Sequence, residues 1–169
     1  MESTEHPSDA EELKDLPFSE QLVLWGIRLW VQGLKNETNI QSQLRTAFKL
    51  AGAPEGHPAL DDLMTVITVS ADQGIDIRCT KCPSISPNEL RILGALAAWQ
   101  HEKDDSLINS FLAAWLPGTA RRVAQTPIAQ LGGALRAAKL VLRERKPVKL
   151  EAARHFTEAR IEDRVGPLH

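Results

Sequence analysis

The chain contains two stretches that are apolar on almost every side of a helix, and the first covers about residues 20–34. Its polar interruptions are Gln21, Arg28 and Gln32, whose spacing of seven and four residues places them on one narrow stripe. A surface helix normally shows a wider polar face. We therefore predict that helix one lies either at the centre of the fold or in an oligomer interface.

The second apolar stretch is predicted to be a helix from Pro87 to about residue 102. Ser86 is a favourable N-cap, Pro87 suits the first helical position, and Glu89 completes a capping box. The residues that follow, as far as Trp99, are almost all apolar. A helix of this kind must be surrounded by other elements, so we expect it in the core.

Four further segments repeat apolar residues at the spacing of an amphipathic helix. Gly52 is a natural stop for the first of these, and we expect Pro127 to open the last. Gly132 and Gly133 each weaken that last helix by about 1 kcal/mol relative to alanine, so a neighbour should pack closely there. The segments are about 40–51, 59–72, 106–116 and 127–144, with a short helix at 119–126. The pattern predicts an all-α compact bundle of about six helices, with a long cysteine-containing loop between helices three and four.

Length and composition fit a single folded domain. The chain has 169 residues, of which 43% are hydrophobic and 25% are charged, as in ordinary globular proteins. We predict an acidic flexible leader at 1–16, one helical domain at 17–146, and a peripheral helix with a flexible tail at 147–169. No apolar run is long enough to cross a bilayer and the N-terminus is acidic rather than signal-like, so we expect a cytoplasmic protein without a membrane partner.

Charge is distributed unevenly, although the net charge is only −2. Residues 1–20 carry seven acids and one base, whereas residues 136–149 carry six bases and one acid. Arg136, Lys139 and Arg143 recur at three and four residues, so they would share a helix face that could contact phosphates. No aromatic residue interleaves them for base stacking. A solvated face, or contact with the acidic leader, explains the pattern better than nucleic-acid binding.

The two cysteines form a Cys79-x-x-Cys82 motif in the predicted loop. Two thiolates at this spacing can hold one edge of a tetrahedral zinc site or close a redox-active disulfide. Zinc would need further ligands, for which we consider His57, His101 or the cysteine pair of a second protomer. The remaining alternative is a pair of reduced cysteines that order the loop only by packing. Connections longer than about 12 residues are uncommon unless they are functional.

Helix one also supplies candidate interaction residues. If Arg28 is buried it needs a partner, either an anionic ligand or another protein. Alternatively, its long side chain reaches the surface beside Gln21 and Gln32. Trp25 and Trp30 belong to a residue type that anchors interfaces, although tryptophan also fills cores.

The sequence offers no motif for catalysis, because it has no Gly-rich phosphate loop, nucleophile elbow or HExxH. The leading hypothesis is a non-enzymatic helical interaction or regulatory domain without a cofactor, which binds a protein partner or forms a homodimer through helix one. The alternative is a metal-binding or thiol-redox-responsive protein that acts through Cys79 and Cys82, with zinc as the metal.

Overall fold

The computed structural model describes residues 11–101 and 104–147, and it is all-helical within these ranges. None of the described helices is both long and apolar enough to cross a membrane. The α-helices are α1 (Phe18–Asn36), α2 (Gln41–Leu50), α3 (Gly56–Ser70), α4 (Pro87–His101), α5 (Asp105–Leu112) and α6 (Gly118–Ala137), and a 3₁₀ helix covers Leu13–Asp15. The predicted all-α bundle is therefore confirmed, and the long connection between α3 and α4 covers residues 71–86.

The two apolar stretches lie in the core, as predicted. Every residue of α4 from Ile92 to Ala98 is buried, and α1 buries Leu24 and Ile27 completely. α4 packs against α1, α5 and α6, while α3 and α6 make the most extensive helix pair. The apolar surface of α1 is thus largely covered within one subunit, so its central position does not by itself require an oligomer.

The two glycines of α6 lie against the ring of Trp99 in α4. A Cβ atom built on Gly132 would lie 2.7 Å from that ring, and one built on Gly133 would lie 3.3 Å from it. The close neighbour that the sequence predicts at these glycines is therefore present. The absence of two side chains allows α4 and α6 to approach with a tryptophan between them.

The two ends of α6 differ from the prediction. The short helix expected at 119–126 is continuous with helix six, so Pro127 lies inside α6 and does not open it. Proline lacks the N–H that an interior position would donate, so contacts with other helices must hold this helix together. Pro127 is buried, and α6 packs on both α3 and α4. At the other end, α6 stops at Ala137 and does not continue to residue 144.

The early end of α6 is a Schellman motif without glycine. Leu140 N–H donates to Leu135 O at 2.8 Å and Lys139 N–H donates to Arg136 O at 2.9 Å. Lys139 takes a left-handed conformation with φ of 61°. Residues 140–147 then continue without regular secondary structure. Nothing in the local sequence marks this stop, so contacts with other elements must decide it.

The last residues of the predicted acidic leader pack on the domain. Leu13 N–H donates to Pro83 O at 2.8 Å, and Glu12 forms an isolated antiparallel bridge with Ser84. Leu16 is buried. The beginning of the leader (1–10) and nearly all of the predicted peripheral helix and tail (148–169) lie outside the described residues.

Candidate functional site: the cysteine loop and its buried anchor

Cys79 and Cys82 are joined by a disulfide in the loop between α3 and α4. Their Cα atoms are 5.1 Å apart, and Cys82 N–H donates to Cys79 O at 3.1 Å, so the motif closes as a tight turn. Cys79 is exposed and Cys82 is half-buried. The alternative in which two reduced cysteines only pack in the loop is therefore contradicted, because the two sulfur atoms are bonded to each other.

The turn rests on the buried guanidinium group of Arg28 in α1. Nη1 of Arg28 donates to Cys82 O at 2.7 Å and to Cys79 O at 3.2 Å, and Nη2 donates to Ser84 O at 2.8 Å. The two remaining N–H bonds point at the carboxylate of Glu89. All five donors of the guanidinium are therefore satisfied, three of them by carbonyls of the cysteine loop.

Glu89, in the first turn of α4, supplies the counter-charge. Nε and Nη2 of Arg28 donate to its two carboxylate oxygens at 2.8 and 2.9 Å, and neither side chain has any exposed area. The backbone N–H groups of Arg78 and Ser86 donate to the same oxygens at 3.1 and 2.9 Å. Burying a charge is costly unless it is paired and hydrogen-bonded, and here both conditions are met.

Ser86 joins this network to the start of α4. Its hydroxyl accepts from Glu89 N–H at 3.1 Å, and it donates to Asp76 O. Together with the bond from Ser86 N–H to Glu89, this is the predicted capping box, which is confirmed. The same carboxylate that caps α4 thus also neutralises Arg28 and holds the loop.

The expectation that Arg28 reaches the surface beside Gln21 and Gln32 is wrong, because its charge is met inside the chain. The sequence contains a signal for this pairing. Glu89 is the single acid of α4, and Arg28 is the single charge between residues 21 and 34. Neither charge could be buried without a partner, so Glu89 is one of the acids with which the sequence allows Arg28 to pair.

The two histidines considered as zinc ligands have other neighbours. His57 lies at the start of α3 with Nε2 2.6 Å from Gln41 Oε1, and burial lowers the pKa of its ring. His101 ends α4 with Nε2 2.6 Å from Leu142 O. Among the described residues, no three His, Cys, Asp or Glu side chains are close enough to share a metal ion. The structure therefore does not bring either histidine to the cysteine pair.

The two tryptophans of α1 are both half-buried but differ in their contacts. Trp30 donates its indole N–H to Asp61 Oδ1 at 2.8 Å, and is thereby fixed to α3. Trp25 lines a shallow open groove with Ala47 and Leu50 of α2. Of the three predicted interaction residues, Arg28 is buried in the chain, Trp30 is bonded to α3, and Trp25 lines an accessible apolar surface.

The predicted basic helix face is not formed. α6 ends before Lys139 and Arg143, so these residues do not share a helical face with Arg136. Arg136 instead donates to a backbone carbonyl at the end of α4. Arg143 forms ion pairs with Glu11 and Glu20, which is the contact with acidic N-terminal residues that the charge pattern suggests.

Comparison with known proteins reveals no relative. The chain matches no protein-family model, and no curated protein or solved structure is significantly similar to it.

Proposed function

We propose that the chain is a non-enzymatic helical regulatory domain that responds to the thiol–disulfide state of Cys79 and Cys82. One observation carries this proposal: an exposed disulfide turn is attached directly to a buried charge pair of the core. Arg28 binds the carbonyls of both cysteines and is itself paired with Glu89. A chemical change at the sulfur atoms is thereby linked to the contact between α1 and α4, the two central helices.

The reaction is a two-electron exchange with an external dithiol. A thiolate of the dithiol attacks Sγ of Cys79, which is the more exposed cysteine, the S–S bond breaks, and Cys82 leaves as a thiolate. The second thiol of the reductant then attacks the mixed disulfide and releases Cys79. The reductant leaves as a disulfide, and its two protons end on the two cysteines.

Arg28 should favour the oxidised state. Its bonds to the two carbonyls keep the two cysteines close in the folded chain and so reduce the entropy lost when the ring closes, whereas reduction removes the covalent link and weakens these bonds. Disulfides in cytosolic proteins are usually transient and catalytic or redox-sensing. If the protein is cytoplasmic, this disulfide belongs to the transient class and is opened and closed by cellular dithiols.

The test is a titration of the full-length protein in dithiol–disulfide buffers. Alkylation and mass spectrometry would measure the fraction reduced, and hydrogen exchange would report on residues 76–90. We expect reversible two-electron reduction and faster exchange around Glu89 in the reduced form. Cys79→Ser and Cys82→Ser variants should resemble the reduced form in every buffer. Reduction that leaves exchange at the start of α4 unchanged would contradict the proposal.

The same samples test the zinc alternative. Two thiolates leave a tetrahedral zinc ion short of two ligands, which a second copy of the loop could supply. Metal analysis of protein purified without chelator should find no zinc if the cysteines serve as a disulfide. Stoichiometric zinc in the reduced protein, lost in Cys82→Ser, would favour a metal-binding protein instead.

Homodimerisation through α1 is a second candidate function, supported by the apolar groove beside Trp25. Leu50, which lines the groove, is 83% exposed. Light scattering should detect a dimer that Trp25→Ser and Leu50→Ser each weaken at least tenfold. Val69→Ser is the matched control, since Val69 is 79% exposed on α3 and does not line this groove. A strict monomer at high concentration would refute this candidate.

A further inference from the structure

The segment after α6 is bound as an extended peptide between the start of α1 and the end of α4. We call residues 140–147 the strap. Ser19 of α1 donates its hydroxyl to Val141 O at 2.8 Å, and Gln100 of α4 accepts from Leu142 N–H at 2.8 Å. Ser19 and Gln100 are both buried, so two buried polar side chains bind the backbone of one short segment.

The strap lies in a groove formed by α1, α4 and Glu11, which is separate from the groove beside Trp25 and also contacts particular side chains of the strap. Leu142 is only 1% exposed. The backbone N–H of Arg143 donates to Glu20 Oε1 at 2.9 Å, and the guanidinium groups of Arg143 and Arg145 donate to Glu20 Oε2 at 2.8 and 2.7 Å. Glu11 contacts both arginines as a second acid. The groove thus fits an extended segment in which a buried leucine is followed by arginine at the first and third positions.

The local sequence disfavours the turn that leads into the strap. Lys139 has φ of 61°, a conformation that residues other than glycine adopt only at a cost. Residues 136–146 contain no glycine or proline, and their apolar spacing predicts a helix as far as residue 144. The strap therefore owes its extended form to the groove, and not to its own preference.

We propose that the groove also takes the strap of a second copy, so that two chains associate by exchanging residues 140–147. The groove contacts come from α1, α4 and Glu11, whereas α6 carries the strap. In the exchanged dimer the turn at Lys139 straightens, and each groove contact is formed between chains. Exchange of an identical element is a low-cost route to a dimer, because its contacts already exist in the monomer.

Opening of the closed monomer is unfavourable. When the strap leaves, the fully buried carboxylate of Glu20 loses both of its arginine partners. Exchange between folded monomers is therefore slow. Experiments should start from chains that are unfolded together and refolded together.

The turn at Lys139 is the hinge of the exchange, and it provides the first test. Lys139 is exposed, so its substitution leaves the groove intact. Lys139→Gly relaxes the left-handed turn and favours the closed monomer, whereas Lys139→Ile introduces a β-branched residue that this turn hardly accepts. Light scattering after refolding should give a dimer dissociation constant at least tenfold lower for Lys139→Ile than for Lys139→Gly.

Charge reversal provides the second test. Glu20→Arg and Arg143→Glu each place like charges in their own groove, so neither variant can close its strap favourably within one chain. A mixture can satisfy both grooves, because each strap meets an opposite charge on the other chain. We expect each variant alone to be monomeric, and the refolded mixture to form a heterodimer.

Three results would overturn the proposal. The first is that the two charge-reversal variants are folded, as judged by circular dichroism, but stay monomeric in the refolded mixture. If Glu20→Arg does not fold, the hinge pair decides alone, and equal dissociation constants for Lys139→Gly and Lys139→Ile would reject strap exchange. A dimer whose dissociation constant is unchanged by these substitutions, but which is lost in Trp25→Ser, forms through the groove beside Trp25. This result would also reject strap exchange.

Discussion

At the residue scale, the two charges buried in α1 are both neutralised by residues far away in the sequence. Arg28 pairs with Glu89 at a separation of 61 residues, and Glu20 bonds to Arg143 at a separation of 123 residues. The first pair joins α1 to the start of α4, and the second joins α1 to the strap. A single substitution at either charge should therefore affect more than local packing.

Removal of Arg28 tests the first pair. Arg28→Met should lower the free energy of unfolding by about 3–5 kcal/mol, because it leaves the Glu89 carboxylate buried without its counter-charge. The double variant Arg28→Met, Glu89→Leu should recover part of this loss, since no buried charge remains. Urea unfolding measures both. Arg91→Met, on the half-exposed side of α4, is the control and should change stability by less than about 1 kcal/mol. A double variant no more stable than Arg28→Met would argue against the pairing.

The helix ends offer a second residue-scale test, because three of those in the described residues are followed by a left-handed residue, namely Glu37, Gly52 and Lys139. Glu37 and Gly52, which follow α1 and α2, have φ of 52° and 81°. Glu37→Gly should stabilise the protein by up to about 1 kcal/mol, whereas Gly52→Ala should destabilise it by about the same amount. A Cβ at Gly52 would meet only Ala138, at 3.8 Å, so its cost is conformational. Thermal unfolding should give shifts of opposite sign, and shifts of the same sign would contradict this explanation.

At the scale of elements, α6 follows its tertiary contacts where these disagree with local preference. It continues through Pro127, where propensity predicts a break, and it stops at Ala137, where the sequence would allow more helix. Pro127 is buried and α6 packs on both α3 and α4, and these contacts offset the hydrogen bond that proline cannot make.

The two glycines of α6 differ in their distance from Trp99, so substitutions at them should differ in their effect on stability. Gly132→Ala would place a methyl group 2.7 Å from the ring, so we expect a net loss of about 1–2 kcal/mol despite the better helix propensity of alanine. Gly133→Ala leaves 3.3 Å and should stay within about 0.5 kcal/mol of the wild type. Urea unfolding of the two variants makes the comparison, and equal effects would show that the ring is not held rigidly.

At the scale of the whole molecule, acidic residues near the start of the domain form ion pairs with basic residues near its end. Glu11 and Glu20 near the start of the domain bind Arg143 and Arg145 near its end. Within the described residues, these two acids and two arginines therefore neutralise each other beside the start of α1. These ion pairs join the two ends of the described part of the chain. They also make the free energy of unfolding sensitive to acid.

The pH dependence follows from Glu20. Burial alone would raise the pKa of this carboxyl group, but the hydrogen bonds from Arg143 and the charge of Arg145 outweigh burial and lower the pKa below its ordinary value of 4.5. A carboxylate with a lowered pKa stabilises the fold above its unfolded pKa, and the contribution is lost as the pH falls through the folded pKa. Wild-type stability should therefore decline as the pH falls below about 4.5, because Glu20 binds a proton in the unfolded chain at a higher pH than in the folded one.

The variant Glu20→Gln measures this contribution. It should be less stable than the wild type by about 2 kcal/mol at pH 7, and the difference should shrink as the pH is lowered toward about 2. Denaturant unfolding across this pH range provides the measurement. Glu55→Gln, an exposed acid, is the control and should follow the wild-type curve. A difference that stays constant with pH would exclude the lowered pKa of Glu20 as its cause.

The sequence by itself determined the features that depend on neighbours along the chain. The six helices, the capping box at Ser86 and Glu89, the stop at Gly52 and the close packing at Gly132 all follow from local spacing and backbone preference. The burial of α1 and α4 follows as well, because helices without a polar face must be covered, but only the structure decided that α1 is covered within one subunit.

Only the tertiary structure decided which distant residues meet. The partner of Arg28, the continuation of α6 through Pro127, its end at Ala137 and the extended strap all depend on contacts between segments that are far apart in sequence. A charge pattern shows that a buried arginine needs an acid, but several acids can satisfy it. The choice is made by packing, since burial is what makes each pair strong and each unpaired charge costly.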